Sequence, residues 1–313
     1  MIASRRPGLM LALAAAMVSG VAVYVNGLAV SHFPSPTVYT TGKNLIAGAL
    51  LVAAAIAHRR VAAPPTTPPA AGWRDHRGAL AAVAVVGGAL PFVLFFEGLA
   101  SASSTDAAFL HKTLIVWAAI LAAVMLGERV GPSHVIAIAF LVLGHAALAG
   151  GVGALRIGAG ELMILAGTMC WACELILVKR LLIDLPPTTI AAARLGGGSA
   201  LLVTWVLASG AAAGLVGLSA SQWAWLATTG PILAAFVTLW FAALARARVV
   251  DVTAVLVLGA VVTGVIDIVF GDGEIGARLP GDILILVGVG LVLAVAARQR
   301  PRAAEEAKAL QWT

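Results

Sequence analysis

Apolar residues run along the chain in ten long blocks, separated mostly by short polar links. The blocks cover roughly 9–31, 38–57, 77–99, 105–126, 133–151, 160–180, 188–208, 222–246, 250–271 and 280–298. Within each block the apolar residues are continuous rather than alternating, which predicts helices and argues against a β-barrel. A helix needs about 20 such residues to cross about 30 Å of hydrocarbon. The pattern therefore predicts an all-α integral membrane protein with ten transmembrane helices. The longest link, 58–76, carries Pro64, Pro65, Pro68 and Pro69 and reads as a surface loop. Residues 299–313 read as a cytoplasmic tail.

Composition sharpens this. Only 11% of the 313 residues are charged, 61% are hydrophobic, and the mean hydropathy is +1.02. Such a chain has too few charges to cover a soluble surface, which excludes an ordinary soluble enzyme, a disordered chain and a fibre. The net charge of +6 would suggest nucleic acid in a soluble protein. Here the cations set orientation instead. With the N-terminus in the cytoplasm, 15 of 20 Lys and Arg fall on inner segments and only Arg156 and Arg278 on outer ones. Both ends are therefore expected inside, in a plasma (inner) membrane. Ser4-Arg5-Arg6 reads as the basic flank of the first span rather than as a cleaved signal. Cys170 and Cys173 lie in an apolar run and read as small core residues rather than a redox pair.

The sequence also repeats itself. Pro36-Thr37 leads to Lys43 and on to Ala49-Leu50-Leu51-Val52. Pro187-Thr188 leads to Arg194 and on to Ala200-Leu201-Leu202-Val203, at an offset of 151. Phe96, Leu99, Ala100, Ala102 and Asp106 match Phe241, Leu244, Ala245, Ala247 and Asp251 at an offset of 145, and Gly127-Glu128 then matches Gly273-Glu274. Two ordered matches near half-length indicate duplication, with repeats at 9–151 and 160–298. Each holds five spans, an odd number, so the copies cross the membrane in opposite senses. Inverted repeats without a soluble domain are the architecture of many secondary transporters.

The run from Phe96-Glu97-Gly98-Leu99 through Ser101-Ala102-Ser103 and Asp106-Ala107-Ala108 to Leu126-Gly127-Glu128-Arg129-Val130 resembles the EamA-type permeases of the drug/metabolite transporter superfamily. Pro36–Lys43 and Pro187–Arg194 are similar to the same family's pattern. The resemblance covers about residues 9–298. It implies transport of small metabolites, often amino acids or related compounds, without ATP. No Gly-x-x-x-x-Gly-Lys-Ser/Thr loop is present, in agreement. Where family members often have proline in the fourth span, this chain has His111-Lys112.

Ionisable groups within spans are costly and usually face a cavity or a partner. Six lie clearly within spans: Lys43, Lys112, Arg194, Glu97, Glu174 and Asp267. Helical rise puts Glu174 and Arg194 at similar depth in the inner half, so they are expected to pair between helices. Lys112 lies about 10–12 Å from the outer edge by the same rise and is the candidate anchor for a carboxylate or phosphate. Glu97, Lys43, Asn44, His111, Tyr24 and Asn26 complete the candidate substrate path. Glu97, Glu174 and Asp267 are the candidate carriers of a coupling proton. Trp117, Trp171, Trp240 and His145 read as helix packing, and Glu128 and Arg129 as capping residues.

The expected function is a secondary transporter of a small, anionic or zwitterionic metabolite, working by alternating access. The expected partners are that substrate, the lipid bilayer and a coupling proton, with no nucleic acid, metal or cofactor, in a monomer or homodimer. Two alternatives differ in what they need. A proton-coupled exporter of cationic drugs would use the three carboxylates as its binding groups. An intramembrane enzyme would need a clustered nucleophile and base, or ligands such as His-Glu-x-x-His, which is absent.

Overall fold

The computed structural model describes residues 5–61, 73–99, 101–102, 104–148, 157–271 and 274–298. The proline-bearing loop at 62–72, the link at 149–156 and the 299–313 tail lie outside them, as do Ala100, Ser103 and Gly273. The described residues form helices and turns.

The first repeat comprises α1 (Arg5–Val30), α2 (Pro36–Val61), α3 (Arg77–Leu99), α4 (Ser104–Lys112 and Leu114–Leu126) and α5 (Pro132–Leu148). The second comprises α6 (Ala159–Leu181), α7 (Pro187–Ala208), α8 (Ala220–Leu244), α9 (Val249–Phe270) and α10 (Ile275–Arg298). Nine of the ten have the length and hydropathy to cross a membrane, and α5 is a shorter apolar helix of 17 residues. The chain is an all-α integral membrane protein. Ten crossings bring both ends to one face, called here the termini face.

Helix contacts obey a two-fold exchange of the repeats. Where α1 packs on α8 and α9, α6 packs on α3 and α4. Where α2 packs on α8, α7 packs on α3. The pairs α2–α7, α4–α9 and α5–α10 each map onto themselves. Lipid tails are as apolar as leucine, so close van der Waals packing between small residues has to hold such helices together. At the α5–α10 crossing, a Cβ on Gly144 would sit 2.8 Å from the Gly281 carbonyl oxygen, and one on Gly281 would sit 2.7 Å from that of Gly144.

Four helices are irregular near mid-membrane. α4 is interrupted at Thr113 and α9 at Val257–Leu258, positions that correspond at the repeat offset of 145. Both interruptions are tightened turns, with Val116 N bonding Thr113 O at 2.9 Å and Val261 N bonding Leu258 O at 3.0 Å. No proline causes the α4 interruption. Thr113 Oγ1 donates to the Leu110 carbonyl at 2.6 Å and accepts from Trp117 Nε1 at 3.2 Å, so side-chain bonds hold the turn. α3 opens at Gly87–Ala89, and α7 widens into a π-type turn over Ala193–Gly197.

Candidate functional site

The irregular segments surround a central cavity of about 270 Å³. Its walls come from both repeats. Ser19 and Asn26 stand on α1, Phe92 on α3, His111 and Lys112 on α4, Trp171 on α6, Arg194 on α7, Phe236 and Trp240 on α8, and Thr253 and Val257 on α9. Lys112 and its repeat counterpart Val257 both line the cavity beside the two helix interruptions. The repeats thus contribute the same backbone feature with different chemistry, a cation on one side and an apolar group on the other.

Arg194 Nε donates to Glu174 Oε1 in a fully buried ion pair between α7 and α6. Two features let this pair form. Gly87 packs directly against the Glu174 carboxylate, and Gly88 packs against the Arg194 carbonyl and Gly198. Side chains at Gly87 or Gly88 would push α3 away. The wide turn of α7 carries Arg194 itself. The guanidinium also lies 5.6 Å from the Trp240 ring centroid and 6.0 Å from that of Phe241, within cation–π range.

Lys43 is the repeat counterpart of Arg194 at the offset of 151. It is buried, 4.9 Å from the Tyr39 ring centroid, and its Nζ donates to Asn26 Oδ1 at 3.4 Å. Tyr39 donates to the same oxygen at 2.5 Å. The first repeat therefore meets its cation with a neutral amide where the second uses a carboxylate. Lys112 has neither. Among the described residues no carboxylate lies within ion-pairing distance of it.

Aromatic rings close the cavity on two sides. Trp171 packs edge-on against His111 at 4.9 Å and Phe92 at 5.4 Å between centroids. Across the cavity Phe236 stacks on Trp240 at 5.4 Å. The site can therefore hold an anionic group at Lys112 and an apolar body between two ring walls.

The expected residues divide as follows. Lys112, His111 and Asn26 meet at the cavity, and Lys43 reaches it through Asn26. Asn44 is buried on α2 with both amide atoms unpartnered, outside the cavity lining. Five expected residues stand elsewhere than the sequence suggests. Glu97 is exposed two residues from the end of α3, so it stands about 3 Å from that end and outside the cavity lining. Tyr24 is half-buried on α1 and does not line the cavity. Asp267 is half-buried one turn from the end of α9, with Oδ1 turned toward Gly271. Arg278, expected in an outer loop, lies inside α10, because that helix begins at Ile275; its Nη2 donates to the Ala260 carbonyl at 3.2 Å, half-way along α9. Cys173 is exposed rather than core. The sequence reading missed Trp171, Trp240, Phe92, Phe236 and Thr253 as cavity residues. The one available signal was the placement of two tryptophans inside spans rather than at their ends.

A family model for EamA-like transporters matches residues 6–149 and again 158–294, once on each five-helix half. The chain belongs to the EamA-like transporter family. It is accordingly a multi-pass membrane protein of a transporter family of the drug/metabolite type. A solved crystal structure is similar in fold over 95% of this chain and 100% of its own, with a TM-score of 0.73 and 18% sequence identity. Comparison with curated proteins returns no match.

In this EamA-family chain the Leu126-Gly127-Glu128-Arg129 segment cross-links the two halves at the termini face. Gly127, with φ 66°, ends α4 in the left-handed conformation that glycine adopts most readily. The turn delivers the Glu128 carboxylate to the start of α9, where it accepts from Val249 N at 2.8 Å and Val250 N at 3.1 Å. Beside it Arg248 donates to both oxygens of Asp251 at 2.8 Å and to the Arg129 carbonyl at 3.2 Å. Arg248 Nη2 also lies 2.8 Å from His134 Nε2. The same His134 nitrogen lies 3.3 Å from Asp251 Oδ1, so the ring joins the Arg248–Asp251 pair.

Proposed function

We propose that this chain is a secondary carrier for a small anionic or zwitterionic metabolite, held at Lys112 and moved by alternating access without ATP. One observation carries the reading: a half-buried lysine with no counter-carboxylate among the described residues, at a helix interruption, in a cavity shared by two inverted repeats. A lysine in that setting gains most from an anion that replaces the missing charge. The distribution of Lys and Arg supports both termini in the cytoplasm of a plasma membrane. The coupling ion proposed is the proton.

The test is a thermal-stability panel on purified protein with benzoate, phenylalanine, inorganic phosphate and tetraphenylphosphonium. Ligands of the native state raise the unfolding temperature, with a stabilisation that grows as the logarithm of one plus the ratio of ligand concentration to Kd. Stabilisation by the anions or the zwitterion, weakened about 10- to 100-fold in Lys112→Gln, is expected; that is the value of a charged hydrogen bond of roughly 1.5–3 kcal/mol. Stabilisation by tetraphenylphosphonium alone would overturn the reading. An exporter of cations needs a free carboxylate in the cavity, and Arg194 already holds Glu174.

A further inference from the structure

A polar column leads from the face opposite the termini to Lys112. At its outer end Arg278 and Asp282, one turn apart on α10, are only loosely paired at 3.8 Å. Arg278 reaches inward rather than outward, since it bonds the Ala260 carbonyl just beyond the α9 interruption and lies across Gly264. The next member is His145 on α5. The close crossing of Gly144 and Gly281 sets the following residues, His145 and Asp282, at the same level of the α5–α10 pair. His145 is buried and within electrostatic reach of Lys112, His111 and Arg278. Asp282 Oδ1, His145 Nε2 and Arg278 Nε are all buried without a hydrogen-bond partner. Three unpartnered polar atoms in one column are costly unless water or an exchanging proton serves them.

We infer that Asp282, with His145 at the same level of the α5–α10 pair, is the proton site of this carrier, and that a proton there favours an anion at Lys112. The inference rests on the carrier reading above and names its coupling group. The charges that face the column come from three helices. α4 gives His111 and Lys112, α5 gives His145, and α10 gives Arg278 and Asp282. On α9 Asp267 is turned to its helix end, and Asp106 in the first turn of α4 has partners of its own. Among the described residues Asp282 is thus the carboxylate of the column, set directly against Arg278. When it takes a proton from water to become a carboxylic acid, that negative charge disappears and the column becomes more positive. An anion at Lys112 is then bound more tightly, and by reciprocity the anion tightens the proton. Both are released together, the acid returning its proton to water. Proton and anion are therefore carried in the same direction.

Two measurements on the full chain in lipid test this. Infrared pH titration should show a carboxylic-acid C=O band that is lost in Asp282→Asn, a readout that requires no substrate. Absence of that difference overturns the proton site. Benzoate binding, followed by the fluorescence of Trp171 and Trp240, should weaken as pH rises, by up to about tenfold per unit for one linked proton. Asp282→Asn should bind benzoate with no pH dependence, and His145→Gln should shift the profile. An unaltered pH dependence in Asp282→Asn overturns the coupling. If benzoate binds neither wild type nor variant, the anion-carrier reading falls, while the infrared titration still decides the proton site.

Discussion

At the residue scale the Arg194–Glu174 pair and the lone Lys112 are opposite solutions to burying charge. The pair neutralises its own charge within the protein, although Glu174 Oε2 is left without a hydrogen-bond partner. Removing one partner strands the other in a dry site, at a cost of about 3–5 kcal/mol. Glu174→Ala is therefore expected to lower the thermal unfolding temperature sharply. The double variant Glu174→Gln/Arg194→Met should recover much of the loss, because no buried charge remains. If the double variant is as unstable as the single one, the pair has a role beyond charge compensation. Lys112 should behave in the reverse way. Lys112→Gln is expected to fold normally and to lose ligand-induced stabilisation, since among the described residues no carboxylate is paired with it. The pairing of Glu174 with Arg194 was legible from helical rise alone, because both depths could be counted from helix ends. The isolation of Lys112 was not, since it depends on which side chains of six other helices turn toward it.

At the scale of elements, the cavity exists because helices that read as uniform in sequence are interrupted. The ten spans themselves were legible, since continuous hydrophobicity of bilayer length has few other solutions. The interruptions were not. α4 has no proline, and its turn at Thr113 rests on side-chain bonds to Leu110 and Trp117. α3 yields at Gly87–Ala89 against partners on α6 and α7 more than 80 residues away. Gly88→Ala is accordingly expected to destabilise by about 1–3 kcal/mol, because a methyl group would meet the Arg194 carbonyl and Gly198, both backbone and unable to yield. Thermal unfolding checks this. A neutral Gly88→Ala would mean that α3 and α7 do not approach as closely as described. Gly78, which has open space around it, is the control.

At the scale of the whole molecule, the two repeats are joined at the termini face by Glu128, Arg129 and His134 on one side and Arg248, Val249, Val250 and Asp251 on the other. Glu274, the repeat counterpart of Glu128, is exposed at the opposite face. A carrier must break such links to open the face they close. Arg248→Ala is expected to shift the population toward opening at the termini face. A cavity cysteine, Thr253→Cys in a background with Cys170→Ala and Cys173→Ala, should then react faster with an impermeant maleimide added from that face. Equal labelling rates in the two backgrounds would show that the cluster is not a latch. The capping role of Glu128 was read from its place at a span end; the bridge to the other repeat was not, because its acceptors face amides 121 and 122 residues away.

The sequence by itself determined the class of molecule, the number of crossings, the duplication and the inverted sense of its halves. These follow from local hydrophobicity, parity and repetition, which the bilayer converts directly into architecture. The tertiary structure alone decided where the intramembrane charges face. Glu97 and Lys112 both read as span residues with no partner in view. Packing set Glu97 on the exposed surface near a helix end and Lys112 in a shared cavity, and it turned Arg278 from a loop cation into an inward-reaching one. Depth along a helix can be counted from the chain, whereas the direction a side chain faces is set by neighbours contributed from the other repeat.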